Sequence, residues 1–212
     1  MNHIRNAGKL LNMVHLIPNI LTFGRFVLTV VFIAMLLCSP QVENKSTFLD
    51  AAFVIFVVAG LTDIIDGRIA RKFNVTSKFG RMVDPLADKI LVCGSFISFA
   101  LIGQPRLYTL SPDWLAVIHW SVAAVLIARE AYVTVLRHLA EARGINFAAT
   151  VSGKIKMFLQ SFAIGTVVIK MAHVPTATWA SCFTSTVFII MLLVTIISGI
   201  RATKRRIRKE TS

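Results

Sequence analysis

The chain reads as an all-α, polytopic membrane protein, with six transmembrane helices behind a short N-terminal amphipathic helix at the membrane surface. Three observations predict this. Of its 212 residues, 56% are hydrophobic and only 16% are charged, where a soluble domain carries about 25% charged residues. Six mostly apolar runs approach or exceed the roughly 20 residues that a helix needs to cross a bilayer. Strand-type alternation is too short for a barrel, and lipid leaves no solvent for unpaired backbone, so helices are the default spanning form.

Residues 1–18 form the interfacial segment. Between His3 and Ile17, Ile4, Leu10, Leu11, Val14 and Ile17 make an apolar stripe, with Arg5 and Lys9 elsewhere, as suits a helix lying in the interface. Residues 19–200 hold the six spans: Asn19 to Cys38, Phe48 to Arg71, Pro85 to Gly103, Pro112 to Arg137, Gly153 to Ala172, and Ala177 to Ile200. Ser39-Pro40, Gln104-Pro105, Ser111-Pro112 and Pro175 punctuate the gaps. Residues 201–212 are a basic tail. The first apolar run is too long for the core of a cleaved signal, and no small-residue cleavage site follows it. Cys38, Cys93 and Cys182 are scattered in apolar surroundings, so they read as buried thiols with neither disulfide nor zinc spacing.

The net charge of +13 would suit nucleic acid or an anionic membrane surface. Its distribution favours the membrane, and no nucleic-acid partner is expected. With the N-terminus inside, the inner flanks hold twelve basic residues: Arg5, Lys9, Lys72, Lys78, Arg81, Arg143 and six between Arg201 and Lys209. The outer loops hold Lys45 and Arg106. This bias puts both termini in the cytoplasm and the tail against anionic headgroups.

Charged residues inside spans are costly and mark function by default. Asp63, Asp66, Gly67 and Ala70 are spaced i, i+3, i+4, i+7 and share one helical face. Asp84 and Asp88 are four apart and share a face of the next helix. With a link of about a dozen residues between the two helices, both pairs belong at the inner end of one hairpin. Four carboxylates meeting at low dielectric repel strongly. A hard divalent cation relieves that repulsion, and a cluster of oxygen ligands without His or Cys suits Mg²⁺ or Mn²⁺. Gly67 and Ala70 leave room for a bulky ligand, and Arg71 offers a planar fork to phosphate. The pattern therefore predicts a metal-diphosphate site open to the cytoplasm. The competing reading is a structural ion-pair network with Arg68, Arg71 and Lys89.

The pattern resembles the signature of the CDP-alcohol phosphotransferase family, D-x2-D-G-x2-A-R-x8-G-x3-D-x3-D. All eight fixed positions are present over 26 residues: Asp63, Asp66, Gly67, Ala70, Arg71, Gly80, Asp84 and Asp88. The resemblance implies that Asp63, Asp66 and Asp84 bind metal and that Asp66 bridges two ions. It implies that Asp88 is the general base and assists the metal, and that Gly67, Ala70, Arg71 and Gly80 line the CDP pocket. It also implies six transmembrane helices and a homodimer. Pro18-Asn19-Ile20-Leu21-Thr22 with Arg25, then Arg129-Glu130, Thr134, Leu136-Arg137, Gly144, Ala148-Ala149 and Gly153-Lys154-x-Lys156, resemble the bacterial phosphatidylglycerophosphate synthase branch. Met157 departs from that branch, which often carries Thr there.

The reaction so implied takes place in the bacterial inner membrane. It moves the phosphatidyl group of CDP-diacylglycerol onto sn-glycerol 3-phosphate, releasing CMP. A phosphate-bearing acceptor needs cations outside the acidic cluster. Arg129, Arg137 and Lys154, with Lys156 beside them, are the candidates; the alternative is that they only set topology. Asn19, Thr22 and Arg25 fall on one face of the first span and would contact the CDP-lipid, unless Arg25 pairs with an aspartate instead. Glu130 would orient an arginine, and His119 reads as a packing residue. Within the family the rival is a cardiolipin synthase or another acceptor. Outside it, a membrane prenyltransferase also grips diphosphate with aspartates, and a divalent-cation carrier also holds intramembrane carboxylates.

Overall fold

A computed structural model of the chain describes residues 22–73, 78–107, 110–143 and 151–210; for 63–73, 78–85, 141, 151–152 and 205–210 it describes the backbone alone. Among the described residues every regular element is helical and there is no strand. Helix α1 covers 22–38, followed by a 3-10 turn at Ser39–Gln41. Then come α2 (Lys45–Phe73), α3 (Lys78–Leu101), α4 (Pro112–Ala142), α5 (Val151–His173) and α6 (Thr178–Glu210). The expected interfacial helix and Asn19 lie outside the described residues.

Five described stretches are long and apolar enough to cross a membrane: Thr22–Gln41, Lys45–Thr62, Pro112–Ala140, Gly153–His173 and Thr178–Lys204. They correspond to five of the six expected spans. The remaining one, Pro85 to Gly103, falls on α3, whose first eight residues are described by backbone alone. Two details of the stretch carrying the aspartates differ from expectation. Helix α3 begins at Lys78, seven residues before Pro85, and only four residues separate it from the end of α2. Proline costs a helix one backbone hydrogen bond, because it has no N–H for the carbonyl four residues back. Membrane helices tolerate that loss where neighbouring groups satisfy the freed carbonyl, so Pro85 does not set the boundary that its sequence position suggests.

The chain divides into two compact units, Met1–Leu91 and Val92–Ser212. In the first, α1 buries Thr22, Arg25, Thr29, Phe32 and Leu36, and α2 buries Leu49, Ala52, Phe56 and Ala59. Both series alternate steps of three and four, the spacing of a helix–helix seam. Phe32 and Phe56 meet in that seam with ring centroids 5.2 Å apart. The opposite faces expose Val27, Val30, Val54, Val58 and Leu61. A helix apolar all round is the signature of a lipid environment. At the turn, the buried Ser39 hydroxyl donates to the Leu36 carbonyl at 2.7 Å, closing the end of α1.

In the second unit α6 packs against both α4 and α5. It buries Ala180, Thr184, Val187, Met191, Thr195 and Ser198, again in steps of three and four. The α5 seam runs Lys156, Gln160, Ala163, Val167, Met171. Phe96 of α3 meets Phe188 of α6 at 5.8 Å. At 1.5 Å per residue, the 31 residues of α4 and the 33 of α6 extend about 46 and 50 Å, well beyond a hydrocarbon core of roughly 30 Å. Two polar residues in this unit are structural. His119 is buried, with Nε2 3.1 Å from the Pro105 carbonyl, which fits the packing role expected of it. Lys170, equally buried, donates to the Pro175 carbonyl at 2.9 Å and so ties the end of α5 to the turn before α6.

Candidate active site

The first unit carries the acidic positions. On α2 the apolar run 51–62 carries no charged residue, and the helix continues unbroken through 63, 66, 67 and 70 to Phe73. Four expected site positions therefore share a helical face immediately beyond the apolar segment. Asp63 and Asp66 stand one turn apart, about 4.5 Å along the axis. On α3, positions 84 and 88 also stand one turn apart in a continuous helix. The side chains of Asp63, Asp66, Gly67, Ala70, Arg71, Gly80 and Asp84 lie outside the described residues.

Asp88 and Arg25 are described, and they meet. Arg25 Nη1 donates to Asp88 Oδ1 at 3.3 Å. The arginine side chain is 2% exposed and the aspartate 35%. A tight charge-assisted bond would measure about 2.7–2.9 Å, so this contact is a long one. Arg25 is buried because it falls in the seam register of α1, one turn after the buried Thr22. Of the two roles expected for Arg25, pairing with an aspartate is the one the geometry displays, and that aspartate is the residue expected to act as base.

The four aspartates expected as ligands offer oxygen donors alone, and hard divalent cations suit such donors. Among the described residues no group of three His, Cys, Asp or Glu is placed to hold a metal; three of the four aspartate side chains lie outside them.

The second unit carries the expected acceptor cations, and it sorts them. Arg129 on α4 donates through Nη1 to Glu130 Oε1 at 3.0 Å and through Nη2 to Ser198 Oγ on α6 at 2.6 Å. Lys156 on α5 donates from Nζ to the same Glu130 oxygen. One carboxylate thus serves two cations, and three helices are joined through them. The Arg129 and Lys156 side chains are 12% and 7% exposed. The cluster keeps one net positive charge and points to an anion. A further bond of 2.9 Å links Tyr132 of α4 to Thr203 of α6.

Arg137 and Lys154 do not join this cluster; both are exposed. Eight residues carry Arg137 about 12 Å along α4 from Arg129. Two residues rotate Lys154 by about 200° from Lys156, onto the other side of α5. Sequence reasoning missed Ser198. Its signal was a hydroxyl three residues after Thr195 inside an apolar run, a spacing that keeps both on one face.

The sequence model of the family described as CDP-alcohol phosphatidyltransferase matches residues 15–199. The chain belongs to this family. CDP-alcohol phosphatidyltransferases similar to it include a protein of Mycobacterium tuberculosis named "Probable phosphatidylglycerophosphate synthase", 31% identical over 195 residues, 91% of this chain and 82% of that one. Two others are named CDP-diacylglycerol–glycerol-3-phosphate 3-phosphatidyltransferase. The Bacillus subtilis protein is 34% identical over 155 residues, 70% of this chain and 74% of that one. The Escherichia coli protein is 34% identical over 150 residues, with the same shares. The match takes in all six helices of this phosphatidyltransferase except the end of α6, including both aspartate-bearing faces and the Arg129–Glu130–Lys156–Ser198 cluster.

Proposed function

We propose that the protein transfers the phosphatidyl group of CDP-diacylglycerol to sn-glycerol 3-phosphate, giving phosphatidylglycerophosphate and CMP. One observation carries the reading: a complete eight-position signature falls on two helical faces, one of which begins where the uncharged run of α2 ends at Asp63. At that depth the acyl chains stay in lipid while the diphosphate reaches water. The names of the relatives supply the acceptor.

In this reading Asp63, Asp66 and Asp84 hold Mg²⁺ or Mn²⁺, with Asp88 assisting. When bound, the metal offsets diphosphate charge and the charge that develops on departing CMP. Asp88 accepts the proton of the acceptor 1-hydroxyl as that oxygen attacks the lipid-side phosphorus and the bond to CMP breaks. Such base catalysis contributes about 10²–10⁴-fold. Arg25 holds Asp88 toward the site from α1. Gly67, Ala70, Arg71 and Gly80, with Asn19 and Thr22, line the CDP-lipid pocket. Arg129 and Lys156, with Arg137 and Lys154 nearer the surface, receive the acceptor phosphate. The enzyme sits in the bacterial inner membrane as a homodimer, with its site and both termini facing the cytoplasm.

The test is incorporation of radiolabelled glycerol 3-phosphate into lipid by the purified protein with CDP-diacylglycerol and Mg²⁺ or Mn²⁺. A labelled phospholipid phosphate and one CMP per turnover are expected. No labelled lipid, or CMP release only when phosphatidylglycerol replaces glycerol 3-phosphate as acceptor, would reject this acceptor. Release of pyrophosphate in place of CMP would reject the reaction.

A further inference from the structure

We propose that Ser198, on the last helix, is a positioning residue for the acceptor subsite. From α6 it fixes the guanidinium of Arg129 in the orientation that receives the acceptor phosphate. The inference rests on the reading that Arg129 binds that phosphate. It extends the subsite to α6, a helix that carries none of the signature residues.

Four observations converge on it. Ser198 Oγ accepts a 2.6 Å bond from Arg129 Nη2, and Ser198 is 3% exposed. Glu130 holds the other terminal nitrogen, Nη1. A guanidinium is a planar fork, so anchoring both terminal nitrogens fixes its plane as well as its position. The side chain is also supported from below: a Cβ added at Gly199 would stand 3.6 Å from Arg129 Cγ, so the arginine stem lies over the glycine beside Ser198. Finally, among the described residues the buried Nε–H of Arg129 has no hydrogen-bond partner. An N–H buried and unpaired is costly, and a phosphate oxygen would satisfy it.

The chemistry assigns distinct tasks within the cluster. Glu130 offsets charge, since it faces two cations. Ser198 is neutral and offsets none; it contributes direction. Losing it should leave the electrostatic attraction for a phosphate intact while letting the fork rotate. That defect belongs to the acceptor and spares the CDP-lipid.

The experiment is steady-state kinetics of the full-length protein in mixed micelles, varying each substrate separately. Ser198→Ala should raise KM for glycerol 3-phosphate about tenfold, near the lower end for a bond to a charged group. KM for CDP-diacylglycerol should stay within about twofold. Ser198→Thr, which keeps the hydroxyl, should restore the acceptor KM. Should the alanine variant not fold, Ser198→Cys, whose sulfur is only a weak acceptor, takes the same readout. An unchanged acceptor KM, an equal rise for both substrates, or no rescue by threonine overturns the proposal. Arg129→Gln separates the two layers. If it raises the acceptor KM selectively and Ser198→Ala does not, the positioning role alone fails. If Arg129→Gln spares the acceptor KM, the subsite reading fails, and the positioning role with it.

Discussion

Glu130 is the point at which the second unit is most exposed to a single change. Its carboxylate faces Arg129 at 3.0 Å and also accepts from Lys156, and both cations are almost entirely buried. Glu130→Gln keeps the shape and removes the charge. Two mechanisms predict different costs. If the contacts act as ordinary intramembrane hydrogen bonds, each contributes about 0.6 kcal/mol, and the loss is about 1 kcal/mol. If they act as a buried ion triad, the substitution strands two cations, and removing one partner of such a group costs about 3–5 kcal/mol. The burial of both cations selects the second mechanism, so a loss of about 3 kcal/mol is expected. Equilibrium unfolding of the purified protein by SDS titration in mixed micelles measures it. Adding Lys156→Met removes one stranded charge and should restore at least about 1 kcal/mol, which makes the pair strongly non-additive. A loss below about 1 kcal/mol for Glu130→Gln, or no recovery in the double variant, would refute the triad and reduce the cluster to hydrogen bonding.

Three further outcomes test the site itself. Asp88→Asn should lower turnover by at least about 10²-fold while retaining CDP-lipid binding, whereas Asp66→Asn should lose both; radiolabelled product formation and CDP-diacylglycerol retention on immobilised protein separate the two. Removal of divalent cations with EDTA should abolish turnover, and Mg²⁺ or Mn²⁺ should restore it; activity that survives chelation would remove the metal from the reading. Arg137→Ala should raise the acceptor KM by a few-fold and leave the donor KM unchanged, a smaller effect than at Arg129 because Arg137 is exposed and its charge is screened by water and salt; an equal rise in both constants would take Arg137 out of the subsite.

Much of this was legible in the sequence because lipid simplifies the rules. Helix is the default spanning form, and apolar runs of sufficient length are visible without alignment; five of the six expected spans lie on described apolar helices. The spacing of Asp63, Asp66, Gly67 and Ala70 was readable as a face because α2 is unbroken through them. The start of α3 was not readable. Proline usually marks a helix N-terminus, and Pro85 sits eighth in α3 instead. That rule concerns backbone groups that must find water, and it weakens where other protein groups can satisfy them. The candidate acceptor cations could be named from the sequence, but their geometry could not. Sequence proximity placed Lys154 and Lys156 together, and the helical rotation of about 100° per residue sends one outward and the other inward.

The same register explains which polar residues matter in both units. On α1 the buried series is Thr22, Arg25, Thr29, Phe32, Leu36, so Arg25 reaches Asp88 because it occupies an apolar seam position. On α4, Leu115, His119, Val122 and Leu126 are buried, and the next step of three falls on Arg129; Leu136 and Ala140 resume the series. Lys156 lies in the α5 seam and Ser198 in that of α6. Arg137 follows Leu136 by one residue, leaves the seam and is exposed. A cation in seam register must be paired, because burial without a partner is too costly to persist, and every such cation described in the two units has a partner. A cation out of register needs no partner and is free to meet solvent or headgroups. Seam register therefore distinguishes the arginines and lysines built into the interior from those left exposed. It does so without reference to any motif, and it singles out Arg25, Arg129 and Lys156 as the basic residues whose geometry the fold itself fixes beside the proposed chemistry.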